Sequence, residues 1–334
     1  MKICIVTTAF PRWIDDGRGA FVFGAACALK KQGNQVRVIA MHNPGAKQRE
    51  VMEGIDVIRP RYLPDRWEIL QKDSAGLPQA WKSNPWSRLA VLPFLLVHTA
   101  AVAYWSHGYD IIHANWTLSA ASSLATQWIH HSPYVVTVQG SDIFQAAKMR
   151  LAGWVSRQAL QKASKVICLS RALANEVNIM GIPGSKVCVI PNGVDLTKFK
   201  PSPLITRENI ILFVGSLIKR KGVDILLKAF AIMANDLTDY RLVLIGEGDL
   251  RESLELAVHH QKLENQVIFV GPQSQTEVKK WMQHAKVFVL PSIEEGQGVV
   301  LLEALACGTP CVGSNIGGIP DVIVPEVGRI VNPG

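Results

Sequence analysis

Short apolar runs recurring between longer helical stretches constrain this chain more than any other feature. Lys2 to Thr8, Gln35 to Met41, Ile111 to Ala114, Tyr134 to Gln139, Lys165 to Leu169 and Val187 to Ile190 are too short for helices and too apolar for solvated loops. Strands covered on both faces read this way, and the intervening segments supply the crossovers that a parallel sheet requires. After Pro191-Asn192-Gly193-Val194-Asp195 the pattern stops, and residues 198–209 contain two prolines and little periodicity. It restarts at Ile210 to Val214 and continues through Arg241 to Ile245, Val267 to Val270, Ala285 to Leu290 and Pro310 to Gly313. The expected architecture is α/β, with two Rossmann-like β/α/β domains, 1–197 and 210–334, joined by the linker 198–209 and facing a central cleft. In such folds ligands sit at the carboxyl ends of the strands.

A chain of 334 residues with 48% hydrophobic content can bury two cores of ordinary size. Met1-Lys2 runs straight into the first strand with too short an apolar stretch for a secretory signal, so a cytoplasmic location is expected. Cys4, Cys27, Cys168, Cys188, Cys307 and Cys311 lie mostly within apolar segments without paired metal spacing, which describes reduced, buried thiols. Cys307 and Cys311 flank a Gly-Thr-Pro turn and can approach each other, but two thiols without nearby histidines make only a weak case for zinc.

The net charge of +8 is unevenly shared. Residues 1–195 carry 21 basic and 12 acidic side chains, and 196–334 carry 14 and 15. An anionic partner for the first half fits this asymmetry, either a phosphorylated acceptor or a membrane surface, and a merely solvated basic face fits it equally. No nucleic-acid motif is present, so no nucleic-acid partner is expected. Trp67, Trp81, Trp86 and Trp105 bracket a stretch, Leu89 to Trp105, without formal charge apart from a His98 proton. With Pro93 inside and a short length it does not read as a membrane span. A buried helix is the first expectation and interfacial membrane docking through Trp81 and Trp86 the second.

Chemistry concentrates in the run from Pro291 to Glu303. Ala285 to Leu290 reads as a buried strand, Val299 to Cys307 as a helix stopped by Gly308 and Pro310, and Glu295-Gly296-Gln297-Gly298 as the loop between them. Glycines let backbone N–H groups at a helix start approach an anion closely. Glu303, the only charge between Val299 and Asp321, sits about one turn further in. A carboxylate in so apolar a stretch needs a partner, and a phosphate beside a polyol suits the pattern. A solvated Glu295 and a Glu303 paired with a lysine would write the same letters.

This segment resembles the signature of glycosyltransferase family 4, retaining nucleotide-sugar transferases of GT-B fold, in which two glutamates are separated by seven residues. The resemblance implies that Glu295 contacts the transferred sugar and Glu303 the nucleotide ribose, with Gly296, Gly298 and Val299 at the phosphates. Phe213-Val214-Gly215-Ser216-Leu217-Ile218-Lys219-Arg220-Lys221-Gly222 matches the family's diphosphate grip, which implies donor roles for Gly215 and Ser216 and charge neutralisation by Lys221 and Arg220. Ser216 departs from the arginine common at that place. Leu244 to Asp249 is a second glycine turn, and Val270 falls where relatives meet the nucleobase.

In the first half, Asp16 to Phe21 resembles the glycine loop that closes over donor or acceptor, which implicates Gly19; it is not the Gly-x-Gly-x-x-Gly pattern of nicotinamide enzymes. His113 in Asp110 to Trp116 matches the histidine delivered beside the transferred sugar, although relatives often have a second histidine where Asn115 stands. Val136 to Asp142 matches a strand-end motif and places Asn115, Gly140, Ser141 and Asp142 on the acceptor side. A core histidine and an ordinary turn remain the plain alternatives for His113 and Gly19.

The resemblance therefore implies a transferase working on a nucleotide diphosphate sugar and a glycan or lipid-linked acceptor in polysaccharide or lipid-linked glycan synthesis, with no cofactor. No Asp-x-Asp site stands in the sequence, and metal independence is expected. A GT-B epimerase or phosphorylase, or a non-catalytic sugar-nucleotide binding protein, are the rival readings. Family members continue past the position of Gly334 through helices that cross back onto the first domain, and the resemblance implies a chain lacking them.

Overall fold

The computed structural model describes residues 1–70, 85–146 and 149–334, and the chain divides into two compact units, Met1–Asn192 and Gly193–Gly334. The first unit is built on β1 (Lys2–Thr7), β2 (Gln35–Ala40), β3 (Arg49–Met52), β4 (Ile55–Ile58), β5 (Ile111–Asn115), β6 (Tyr134–Val138), β7 (Lys165–Cys168) and β8 (Val187–Val189). They form one sheet in the order β3-β4-β2-β1-β5-β6-β7-β8. Every neighbouring pair is parallel except β3 and β4. That antiparallel edge departs from the all-parallel expectation. Glu53 (φ 48°) and Gly54 (φ 75°) are both left-handed, the two-residue turn whose twist suits a tight hairpin.

The second unit holds β9 (Glu208–Val214), β10 (Arg241–Ile245), β11 (Val267–Gly271), β12 (Ala285–Leu290), β13 (Cys311–Ser314) and β14 (Gly328–Val331). All pairs are parallel, in the order β11-β10-β9-β12-β13-β14. In both units the strand order reverses beside the first strand, between β1 and β5 and between β9 and β12. Loops leaving strands at such a reversal splay apart and open a crevice at the carboxyl edge. Both units are thus Rossmann-like, as the sequence pattern implies.

The strands hold because their side chains vanish into apolar layers. Cys4, Val6, Val136, Val138 and Val166 in the first unit, and Leu212, Phe213, Leu244, Phe288 and Leu290 in the second, are all fully buried. Helix starts follow local rules: Ser170 Oγ accepts from Leu173 N at 3.2 Å to open Arg171–Ile179. Ser274 Oγ likewise accepts from Glu277 N at 3.3 Å to open Gln275–His284, a Ser-x-x-Glu start.

The stretch expected as a linker is tied to the second unit. Phe199 is buried in that unit's core, Gln283 Nε2 donates to Lys200 O at 2.7 Å, and β9 begins at Glu208. Arg207 bridges the ends of two helices, donating to the carbonyls of Met282, Ala285 and Cys307 and to Thr309 Oγ1. The expected buried helix is half right. Pro85–Trp105 packs Ala90, Phe94, His98, Ala101 and Val102 inward but leaves Leu89, Leu92, Leu96 and Tyr104 more than 60% exposed. Trp81 lies outside the described residues.

Candidate active site

The carboxyl edge of the second unit's sheet gathers the loops after β9 and β12 at the reversal point. After β9 the chain turns through Lys219–Lys221 and enters helix Val223–Met233. Gly222 makes that turn fit: it is left-handed (φ 65°), and an added Cβ would stand 2.0 Å from the Pro291 carbonyl oxygen. Arg220 O accepts from Ile293 N (2.8 Å) and Glu294 N (3.2 Å), so the two loops are sewn together by backbone bonds.

This seam presents the cation to the carboxylate. Lys221 Nζ meets Glu295 Oε2 at 2.5 Å, with side-chain exposures of only 16% and 11%. Ser292 Oγ donates to the same oxygen at 3.2 Å, and Gly296 N–H to Oε1 at 3.2 Å. Burial pushes the Glu295 carboxyl up, but Lys221, Arg220 and Ser292 outweigh it and hold it below the usual carboxylate range. Gly317, also left-handed, packs against Glu295 so closely that a Cβ would lie 1.8 Å from its carbonyl oxygen.

Two residues beyond Gly296, Gly298 opens helix Val299–Ala306, and among the described residues no side chain caps it. The first N–H groups of that helix are left for an anion or water. Glu303 is half-buried in the same helix, and among the described residues no donor bonds its carboxylate. Burial pushes its carboxyl up to about 7. The two glutamates therefore differ in kind: Glu295 is fixed and ionised, whereas Glu303 sits poised for hydrogen-bond donors.

Other expected donor residues lie on the same edge. Gly215 and Ser216 follow β9, although the Gly215 N–H is spent on Ile245 O at 2.9 Å. Val270, half-buried, is next to last in β11.

In the first unit, the loop after β1 ends at Gly19, which opens helix Ala20–Lys31, and Arg18 donates to Asn43 Oδ1 at 3.2 Å in the loop after β2. His113 and Asn115 stand two apart on β5 and share a face. His113 Nε2 meets Thr137 Oγ1 at 2.7 Å, and Gln139 Nε2 donates to Asn115 Oδ1 at 3.2 Å, both from β6 or its end. Burial pulls the His113 imidazole down to about 4, so it is neutral near pH 7. Gly140 and Ser141 follow β6. Asp142 accepts backbone N–H bonds from Gln139 (3.1 Å), Gly140 (3.0 Å) and Thr117 (3.0 Å), so its carboxylate shapes the loop.

Among the described residues, His42, Asp65 and Glu68 could gather around a metal ion. Both ring nitrogens of His42 are occupied, Nδ1 by Glu68 Oε2 at 2.5 Å and Nε2 by Ala46 O at 3.0 Å. The His42–Glu68 pair reads as a buried polar staple under the loop after β2, with Asp65 exposed beside it.

Comparison with known proteins follows the same division. Residues 16–198, more than half of the chain, match the family described as Glycosyltransferase Family 4, and residues 195–334 match Glycosyl transferases group 1. The chain belongs to the GT4-type glycosyltransferases. An uncharacterized glycosyltransferase of Methanocaldococcus jannaschii is 27% identical over 99% of this chain and 84% of its own length. Among solved structures, sucrose-phosphate synthase from Thermosynechococcus elongatus superposes with a TM-score of 0.80 at 23% identity, covering 99% of this chain and 86% of that one. Anabaena HepE in complex with UDP and glucose superposes with a TM-score of 0.76 at 21% identity, covering 100% and 86%. At such identities the superpositions speak for the GT-B fold alone.

Within this glycosyltransferase the geometry brings Lys221, Arg220, Glu295, Gly296, Gly298 and Glu303 onto two adjoining loops and one helix. Ser292 and Gly317 escaped the sequence reading. Ser292 lies within the run from Pro291 to Glu303, where a hydroxyl three residues before a glutamate in a tight loop was the available signal. Gly317 meets Glu295 only through the tertiary fold.

Proposed function

We propose that this chain transfers a sugar from a nucleoside diphosphate sugar to an acceptor hydroxyl with retention of anomeric configuration. The observation that carries the reading is the Lys221–Glu295 pair, 2.5 Å apart, beside the uncapped start of helix Val299–Ala306, with Glu303 about one turn further along it. That arrangement offers positive charge and backbone N–H groups to a diphosphate and carboxylate acceptors to hydroxyls on either side. HepE, with the same fold, has been captured with UDP and glucose, which supports a donor of this class.

As the bond from sugar to phosphate breaks, charge grows on the departing oxygen. Lys221, Arg220 and the N–H groups near Gly298 and Val299 stabilise it. Glu295 accepts from sugar hydroxyls, Glu303 from the ribose, and backbone near Val270 meets the base. Gly215, Ser216 and Gly296 let the chain pass close to the phosphates. On the first unit Gly19 and neutral His113 contact the donor, and Asn115, Gly140 and Ser141 the acceptor, in a loop held by Asp142. The departing phosphate oxygen takes the acceptor proton on the same face of the sugar, so no separate base is needed. The cations do the neutralising that a metal performs elsewhere. A glycan or lipid-linked acceptor is the substrate class proposed.

Thermal-shift screening against UDP, GDP and ADP sugars tests donor binding, since a ligand favouring the native state raises the unfolding midpoint. Product analysis with the best donor should then show free nucleoside diphosphate and an extended acceptor. Epimerised donor, phosphorolysis, or binding without turnover would each overturn the reading. So would full transferase activity in Glu295→Ala.

A further inference from the structure

Helix Pro85–Trp105 turns an apolar face outward. Leu89, Leu92, Leu96 and Tyr104 are 67%, 63%, 64% and 73% exposed, and their spacing of three, four and eight residues keeps them on one stripe. The opposite face is spent on the unit's core through Ala90, Phe94, Ala101 and Val102. Elements packed against the helix add exposed indoles. Trp128, 73% exposed, rides on helix Gln127–His130, which contacts it, and Trp67, 56% exposed, belongs to the turn whose neighbours Tyr62 and Leu70 join Ala90 and Phe94 in one cluster. A row of large apolar side chains presented to solvent marks an interaction surface.

Three observations narrow what covers it. The helix carries no acidic residue, its one formal charge is Arg88, and residues 1–195 hold 21 basic against 12 acidic side chains, so charge favours an anionic partner over a cationic one. The exposed rings of Trp67 and Tyr104 join an apolar body to a polar edge, which suits the depth of lipid headgroups, and Arg66 stacks over Trp67 at 5.3 Å. From Leu89 to Tyr104 the stripe runs about 23 Å and is about 10 Å wide, roughly 250 Å² in all. A stable dimer needs about 800 Å² from each partner. No described helix is long and apolar enough to cross a membrane, so the contact would be one of lying on the surface.

We propose that the outer face of helix Pro85–Trp105 docks on an anionic lipid bilayer, with Leu89, Leu92 and Leu96 dipping below the headgroups and the net positive charge of the first unit, Arg66 beside Trp67 included, holding the protein there. This does not depend on the glycosyl-transfer reading. The test is cosedimentation of the full chain with vesicles of phosphatidylcholine alone and of phosphatidylcholine with phosphatidylglycerol in equal parts, at low and physiological ionic strength. Binding should favour the anionic vesicles and weaken with salt. Leu92→Gln/Leu96→Gln should lower the partition coefficient by about a hundredfold, roughly tenfold for each leucine withdrawn from the apolar layer. Its unfolding midpoint should not move, because both side chains already face solvent. Arg66→Gln should reduce the anionic preference and leave the weak binding to phosphatidylcholine as it was. The proposal is overturned if the wild type stays in the supernatant at low salt, if it binds both vesicle types equally, or if the double variant partitions like the wild type. It is also overturned if sedimentation equilibrium finds a dimer that the double variant dissolves.

Discussion

Glu303→Gln is expected to stabilise this protein, and to do so only above acidic pH. Burial lifts the carboxyl from an ordinary 4.5 to about 7. A shift of that size corresponds to at most about 3 kcal/mol, at 1.36 kcal/mol for each unit. Below pH 4.5 the side chain is protonated both folded and unfolded, and it costs nothing. Between 4.5 and 7 the unfolded chain ionises first, so stability contributed by the neutral form is lost as pH rises, and above 7 the loss is complete. Glutamine mimics the protonated shape at every pH. Guanidinium unfolding followed by far-UV circular dichroism from pH 4 to pH 8.5 should therefore give curves that coincide at the acid end and separate by up to about 3 kcal/mol at the alkaline end. His98 and His113 also titrate in acid, but both proteins carry them and their effect cancels in the difference. The same variant should bind donor at least about tenfold more weakly if Glu303 accepts ribose hydroxyls. A difference that is constant with pH, or a variant less stable than the wild type at pH 8, would refute the reasoning.

Two further outcomes follow from named contacts. Gly222→Ala places a Cβ 2.0 Å from the Pro291 carbonyl oxygen in a left-handed residue, so a loss of about 2 kcal/mol or more and a displaced Lys221 are expected; retained stability together with retained donor binding in thermal-shift titration would count against the seam described above. His98→Leu removes a fully buried imidazole whose two nitrogens find no partner among the described residues and whose ionisation burial pulls down to about 4. The variant should gain roughly 1–3 kcal/mol at pH 8 from the lost unsatisfied groups. Its advantage should widen as pH falls from 6.5 to 4, where only the unfolded wild type gains a proton, and a constant gap in denaturant titrations would contradict this.

Much of this was legible in the letters because a parallel sheet speaks through composition. Arg241–Ile245 is buried on both faces after its first residue and Ala285–Leu290 largely so, so their apolar runs have edges that the structure reproduces. The loops following such strands all emerge on one edge, which is why residues as distant as Lys221 and Glu295 could be expected together. The hairpin Arg49–Ile58 was not seen because Arg49, Glu50 and Glu53 break its apolar pattern, and its short strands lie at a sheet edge where polar side chains reach water. The Glu53-Gly54 turn was the missed signal. Gly328–Val331 is short and half-exposed, and only pairing with β13 makes it a strand. Arg207 reads as one more charge in a polar stretch, yet its role comes from the carbonyls of Met282, Ala285 and Cys307 converging on it. His113 announces a histidine at a strand end, but its hydroxyl partner Thr137 belongs to the neighbouring strand and depends on register.

Lys221 already has an internal counter-ion in Glu295. A free hexose brings no charge with which to draw the lysine away, and the acid it would lean on stays engaged. On the proposed reading a diphosphate brings that charge, and by taking over the ammonium it would release the carboxylate for the hydroxyls of whatever is attached. Recognition at this locus would then work as an exchange of salt links, in which unactivated sugars, however abundant, compete poorly because they lack the half of the molecule that starts the exchange.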